Sequence, residues 1–471
     1  MTQTAQKQST ASYKFDPEIL REYDIRGTVG KNLTEETAYA LGRSFGTFMA
    51  SKGWKICAVG YDGRASSPAL SQNLRQGLKD CGINVINTGR GPTPMLYFAT
   101  KSMKLDAGIM VTGSHNPPQY NGFKMMTREG SVFGKMIQDL ARTTEFVQGV
   151  GTEEQKDVSE DYIARLLADL KHKRDFTVVW DNGNGAGGEI LQRLVKKLPG
   201  THHVLYGEID GTFPNHHPDP TVDKNLVDLI AKVKETKADF GIAFDGDADR
   251  IGAVDGTGKV IRGDMLLALY SRTVIKENPD AAIIADVKSS DSLFKEIARL
   301  GGRPICWNTG HSLVKAKMAE TGAKLAGELS GHIFFADKYY GYDDALYAGI
   351  RLMDVIAAED IDLTTVFSHI PPMFSTPELR IEVREEEKFE MVRKMGEALR
   401  PQLTQDNQLL DIDGLRITTP DGWWLVRASN TQNVLVARFE AKTEAKLADM
   451  QKTLNTLLQP FGYSLDSQAD H

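Results

Sequence analysis

Five times along the chain a short β-branched or apolar run ends in an aspartate or a small polar cluster, followed in most cases by glycine and then a helical period. The runs are residues 56–62, 107–114, 176–181, 240–245 and 282–286. Each reads as strand, turn and helix, with room for a crossover helix before the next. Strands alternating with helices make mainly parallel sheets covered on both faces, and such sheets take ligands at the carboxyl ends of their strands. The polar clusters stand at those ends, so one pattern predicts an α/β fold and the location of its site.

At 471 residues the chain exceeds one compact core, and about 150 residues per domain gives roughly three or four domains. A charged stretch at 152–161, a break near Gly263 and the segment 369–377, punctuated by Pro371, Pro372 and Pro377, divide it. The expected layout is a disordered tail at 1–13, three α/β domains at 14–155, 156–263 and 264–374, and a smaller α+β domain at 375–471. In the last domain, short runs at 414–419 and 423–427 bracket turns, and a terminal helix is expected from about Glu440.

The formal charge of −7 argues against nucleic acid or an acidic membrane as partner, because either needs a basic face. No apolar run approaches the roughly eighteen residues of a membrane span, and the polar N-terminus lacks a signal-peptide core. Cys57, Cys81 and Cys306 show no CxxC spacing, so a reducing, cytoplasmic setting is expected.

Four loops carry candidate chemistry. In TGSHNPPQYNGFK (112–124), Ser114 follows glycine at a strand end, the prolines oppose helix, and Lys124 offers a point charge for phosphate. The GxSxG elbow does not apply, since Thr112 and Asn116 stand where its glycines belong. In DGDADR (245–250), Asp245, Asp247 and Asp249 would repel one another without a hard cation, and all-oxygen ligation near a phosphate suits Mg²⁺. An EF-hand fails because Gly256 occupies the place of its closing glutamate and a strand leads in. In GELSGH (327–332), Glu328 and Ser330 suit vicinal hydroxyls; in RASNTQN (427–433), Arg427 and the following polar residues suit a phosphate. Taken singly, each loop also reads as a polar turn.

In this order and at these separations the four loops resemble the α-D-phosphohexomutase superfamily, more closely its bacterial phosphomannomutase/phosphoglucomutase branch, and the segment Tyr23-Asp-Ile-Arg26-Gly resembles its early cleft segment. The resemblance covers nearly all the chain after the tail. It implies four domains around a central cleft, and Ser114 phosphorylated at rest. Mg²⁺ would be held by Asp245, Asp247, Asp249 and a phosphoserine oxygen. The implied reaction interconverts hexose 1- and 6-phosphates of mannose and glucose through a hexose 1,6-bisphosphate, which turns around in the cleft. Arg427, Ser429, Asn430 and Thr431 would hold the idle phosphate, and Glu328 and Ser330 the ring hydroxyls. Arg250 and Lys124 would steady the transferring group; His115, His332 and Arg26 would lie near the reacting oxygens; Tyr23, Lys288 and His311 would be further cleft contacts. At Leu329 the dual mannose/glucose enzymes usually carry Met, a residue of similar bulk. The rival readings are a Mg²⁺-dependent sugar phosphatase and a non-catalytic sugar-phosphate binding protein; between monomer and dimer the sequence makes no choice.

Overall fold

The computed structural model describes residues 13–430 and 432–465, so the expected tail, Tyr13 apart, and Thr431 lie outside the described residues. Four sheets follow one another along the chain. In the first, Ile56–Tyr61 lies between Asn84–Arg90 and Ala107–Val111, all parallel, and Tyr120–Thr127 and Ile25–Thr28 extend it antiparallel. The second is built around the parallel strands Gly200–Leu205, Phe176–Asp181 and Phe240–Phe244, the third around Arg303–Trp307, Ala282–Asp286 and Leu325–Gly327. Each again continues into antiparallel strands, Ile251–Asp255 and then Val260–Ile261 in the second, Ile333–Phe335 in the third. The five expected strands are all present, each inside a parallel set.

The fourth sheet is antiparallel throughout, from Gln408–Leu410 through Leu415–Thr419 and Gly422–Ala428 to Val434–Ala441, which also pairs with Leu379–Glu382 and Phe374–Ser375. The terminal helix starts later than the sequence suggests, at Glu444 instead of about Glu440. Residues 434–441 are buried along their whole length as a central strand, and the Thr443 side chain then caps the helix by accepting from Lys446 N–H.

The helix Ala345–Ala358 explains how the middle domains cohere. It is buried from Ala345 through Ile356, its two charged residues satisfied by Asp337 on Arg351 and by the Lys171 N–H on Asp354, and it joins one core with Trp180 and Phe240 of the second sheet and Leu325 of the third. Met95, Leu96 and Phe98 of the first domain enter the same core. The C-terminal domain keeps a core of its own around Ile381, Val426, Leu435 and Leu458. It grips the third domain through a small apolar cluster of Val287 with Trp423 and Leu425 and through polar contacts: Arg416 donates to the carbonyls of Val287 and Ser289, Arg438 to that of Lys288, and Ser290 Oγ donates to Glu440 at 2.6 Å. Among the described residues no helix is long and apolar enough to cross a membrane.

Candidate active site

The aspartates that end the parallel strands organise the loops beyond them. Asp62, Asp181, Asp245 and Asp286 are all nearly or fully buried, and each accepts hydrogen bonds from the turn it begins or from the neighbouring loop. Asp62 takes N–H of Arg64 at 3.0 Å and of Gly113 at 3.1 Å, together with the Thr112 hydroxyl at 2.8 Å. One strand-end carboxylate thereby fixes the start of the loop that carries Ser114.

Arg64 completes that loop. Its guanidinium donates to the carbonyls of Pro117 at 2.7 Å, Tyr120 at 3.0 Å, Ser114 at 2.7 Å and Asn116, while Nε meets Asp62 at 3.1 Å. Ser114 is left at φ +51°, a left-handed conformation uncommon for a residue with a side chain, and is 2% exposed. Its hydroxyl donates to Asp245 Oδ2 at 3.0 Å and lies 3.2 Å from His115 Nδ1. Gly246 permits this closeness, since a Cβ there would run into the Ser114 carbonyl oxygen.

Asp245, Asp247 and Asp249 are fully buried and offer oxygens within 4.8 Å of one another. Asp245 Oδ1 accepts N–H of Asp249 and Arg250, both at 3.1 Å, which curls the loop back on its first residue. Lys124 Nζ sits between Asp247, at 2.7 Å, and Asp249, so the point charge expected to meet phosphate is here engaged by two carboxylates. Burial and then the negative charges of Asp247 and Asp249 push Asp245 well above its ordinary pKa, and burial beside Asp247 also raises Asp249. Asp247 is also opposed by burial, yet Lys124 and Thr93 hold it below the usual range. Asp247 Oδ1 and Asp249 Oδ1 are buried without a hydrogen-bond partner. Three carboxylates against one ammonium, with two orphaned oxygens, are a donor set that fits a hard divalent cation.

Across the cleft, Glu328 accepts N–H of Gly310 and, at 3.1 Å, the Ser330 hydroxyl. Leu329 N–H donates to Asp286 at 3.2 Å, so the last of the four strand-end aspartates positions the loop at 327–332. Lys288 Nζ reaches Glu378 at 2.7 Å, and Arg427 Nε reaches Asp413 at 3.1 Å. Lys288, expected as a cleft contact, and Arg427, expected to hold a phosphate, are thus both paired with carboxylates of the C-terminal domain. Ser429 accepts N–H of Gln432 at 3.1 Å, and Asn430 Nδ2 donates to Tyr23 Oη at 2.6 Å. Tyr23 in turn donates to the Thr309 carbonyl at 2.7 Å, and burial raises its phenol pKa.

A line of contacts runs on from there. The Tyr23 ring stands edge-on to His311 at 6.1 Å, His311 is 5.6 Å from His332, and His332 Nε2 accepts from Arg250 Nε at 3.0 Å. Burial, reinforced by Arg250 in one case and Lys315 in the other, holds His115 and His311 well below the ordinary histidine pKa, so both are neutral. Arg26 donates to Asn116 at 2.8 Å and pairs with Asp24, which puts it on the Ser114 loop. Every described residue singled out from the sequence lies on one of these loops or on this line. Sequence reading missed Arg64 and Asp413; the strand-end pattern before Asp62 was the signal available for the first, and none marked the second.

Phosphoglucomutase/phosphomannomutase family models match the chain in sequence: the three alpha/beta/alpha domains at residues 17–146, 160–258 and 262–374, and the C-terminal domain at 378–457. The chain belongs to the phosphoglucomutase/phosphomannomutase family. It is 46% identical over 450 residues to a phosphomannomutase/phosphoglucomutase of Pseudomonas aeruginosa, covering 95% of this chain and 96% of that one. Identity is 44% over 450 residues to a phosphoglucomutase of Neisseria meningitidis, covering 94% and 97%. A crystal structure of a family protein from Burkholderia thailandensis superposes with a TM-score of 0.89 at 42% identity, covering 95% of this chain and 98% of that one.

Proposed function

We propose that the chain interconverts the 1- and 6-phosphates of mannose and glucose, with Ser114 as the phosphoryl carrier and Mg²⁺ held by Asp245, Asp247 and Asp249. The observation that carries this reading is the continuous line from Asn430 through Tyr23, His311, His332 and Arg250 to the acidic loop beside Ser114. That line supports a reading in which an anion-binding end at Asn430 works together with a phosphoryl-transfer end at Ser114, as a reaction that reads one sugar in two orientations needs. A phosphatase needs only one of those ends, and a binding protein needs no carrier hydroxyl.

Bound Mg²⁺ supplies charge neutralisation at the transferring phosphoryl group. His332 takes the proton from the attacking sugar hydroxyl as the new O–P bond forms. The bond from phosphorus to Ser114 Oγ breaks with its electron pair left on Oγ, where Lys124 adds a positive charge. After the bisphosphate turns, Ser114 Oγ attacks the other phosphate and the departing sugar oxygen recovers its proton from His332. Arg427, Ser429, Asn430 and Thr431 hold the phosphate that is not moving. Leu329 adds no polar group that would separate mannose from glucose. Hexose phosphates are the partners of this site, hexose 1,6-bisphosphate its activator, and the three unpaired cysteines suit a reducing cytoplasm.

The test is a coupled assay of mannose 1-phosphate and glucose 1-phosphate turnover, with Mg²⁺ and a trace of glucose 1,6-bisphosphate, on wild type and Ser114→Ala. Turnover of both sugars that disappears in the variant and after chelation is expected. Release of inorganic phosphate without isomerisation would replace the mutase with the phosphatase.

A further inference from the structure

His332 is held between groups that each permit a single role. Arg250 Nε lies 3.0 Å from Nε2, and a guanidinium can only donate, so Nε2 presents its lone pair there. A neutral imidazole then carries its proton on Nδ1. That nitrogen stands 3.0 Å from Asp343 Oδ2 and 3.6 Å from Asp249 Oδ1. All three atoms are buried and none has another hydrogen-bond partner, and of the two carboxylate oxygens the Asp343 Oδ2 is the one within hydrogen-bonding distance of Nδ1. Asp249 belongs to the acidic loop that fits a cation, which leaves Asp343 to hold the imidazole.

Asp343 is built for that. It is fully buried between the strand Ile333–Phe335 and the helix Ala345–Ala358, and Lys315 Nζ fixes its other oxygen at 3.0 Å. Lys315 comes from the helix His311–Thr321 and lies 4.8 Å over the Tyr97 ring, so the carboxylate is anchored from a different element than its own. The His332 ring also lies 6.2 Å from the Phe334 ring, tilted 29° from parallel, and Asp343 opposes its rotation about the Cβ–Cγ bond.

We propose that Asp343 is a positioning residue for phosphoryl transfer: it holds His332 as the Nδ1–H tautomer, so that Nε2 is the atom that takes the proton of the sugar hydroxyl. This rests on the mutase reading above, with His332 as proton acceptor. When the hydroxyl O–H bond breaks towards Nε2 and the oxygen bonds to phosphorus, the imidazolium so formed keeps its Nδ1 proton against Asp343. On the return half-reaction the Nε2 proton goes back to the departing sugar oxygen. Arg250 Nε meets Nε2 at 3.0 Å and has to turn to the phosphoryl oxygens before the hydroxyl can approach.

The test begins with wild-type protein carrying ¹⁵N-histidine, whose His332 signals are assigned by their loss in His332→Ala, and long-range ¹H–¹⁵N correlation reads which nitrogen is protonated. The Nδ1–H form is expected; the Nε2–H form would overturn the proposal without any need for a variant of Asp343. In Asp343→Asn the side-chain amide can donate to Nδ1, so the tautomer should invert or mix. kcat should then fall by at least about 10²-fold, towards the roughly 10⁴-fold loss seen when a catalytic histidine is held wholly in the wrong tautomer. KM should stay within about threefold, because ground-state binding is untouched. Unchanged kcat in Asp343→Asn, or lost activity with the tautomer retained, would overturn the proposal. A His332→Ala enzyme at wild-type rate would do the same while leaving the mutase reading intact, whereas wild type that does not isomerise would remove the mutase reading itself.

Discussion

Arg64→Met separates the construction of the Ser114 loop from its chemistry. The native guanidinium donates five hydrogen bonds: Nε to Asp62, one terminal nitrogen to Pro117 and Tyr120, the other to Ser114 and Asn116. Methionine keeps much of the length and none of the donors. Removing one member of a buried ion pair costs about 3–5 kcal/mol, and each deserted buried carbonyl adds up to about 1–3 kcal/mol unless water enters the vacated space. With water recovering part of the carbonyl cost, about 4 kcal/mol is the expected loss. At about 2–4 °C per kcal/mol for a domain of this size, Tm should fall by roughly 8–16 °C. A loop freed to shift by about 1 Å would also lose on the order of 10²-fold in kcat. Differential scanning fluorimetry and the coupled assay, run beside the surface control Arg142→Met, measure both. An Arg64→Met enzyme that melts within about 2 °C of wild type and turns over normally would refute the reasoning. A lowered Tm with unchanged kcat per folded molecule would restrict Arg64 to holding the domain together.

Tyr23→Phe should act on closure instead of chemistry. It deletes the hydroxyl joining Thr309 and Asn430, a loss of about 1–2 kcal/mol, so KM should rise roughly five- to thirtyfold with little change in kcat; a fall in kcat at constant KM would contradict this. For pH dependence, burial alone would raise Glu378, but Lys288, Arg380 and Arg438 outweigh it and hold the carboxyl at about 2 instead of 4.5. A depressed folded pKa contributes stability above the unfolded value that is lost as pH falls through the folded one. The Tm difference between wild type and Glu378→Gln should therefore be level above about pH 5 and shrink towards pH 2; a difference unchanged across that range would rule out the Lys288–Glu378 pair as its source.

Local pattern made the strands and their terminal aspartates legible, because a buried parallel strand is a continuous apolar run and the turn after it needs a polar first residue. It could not reveal what those aspartates hold. Asp62 reaches Gly113 and Asp286 reaches Leu329, contacts made by sheet pairing between distant segments. Lys124 shows the same limit: its place in the Ser114 segment suggested a free charge, and only the approach of the second domain brings Asp247 and Asp249 to it. Asp343 sits in a stretch with no motif, and Arg64 looks like any turn arginine until four carbonyls converge on it. The terminal helix was placed too early because residues 434–441 are uniformly buried, so period could not separate the end of a central strand from the start of a helix.

The burial of Ser114, with its carbonyl gripped by Arg64 and its backbone in a left-handed turn, bears on who can write to it. An enzyme that modifies a serine on another protein draws the surrounding segment out as an accessible strand, and this segment cannot be drawn out without undoing the domain. Whatever the hydroxyl receives must therefore arrive on a molecule small enough to enter the cleft. On the mutase reading proposed above, a chain that has not yet received its phosphate on Ser114 would have to take it from a small phosphorylated compound, because the buried hydroxyl is closed to a larger donor.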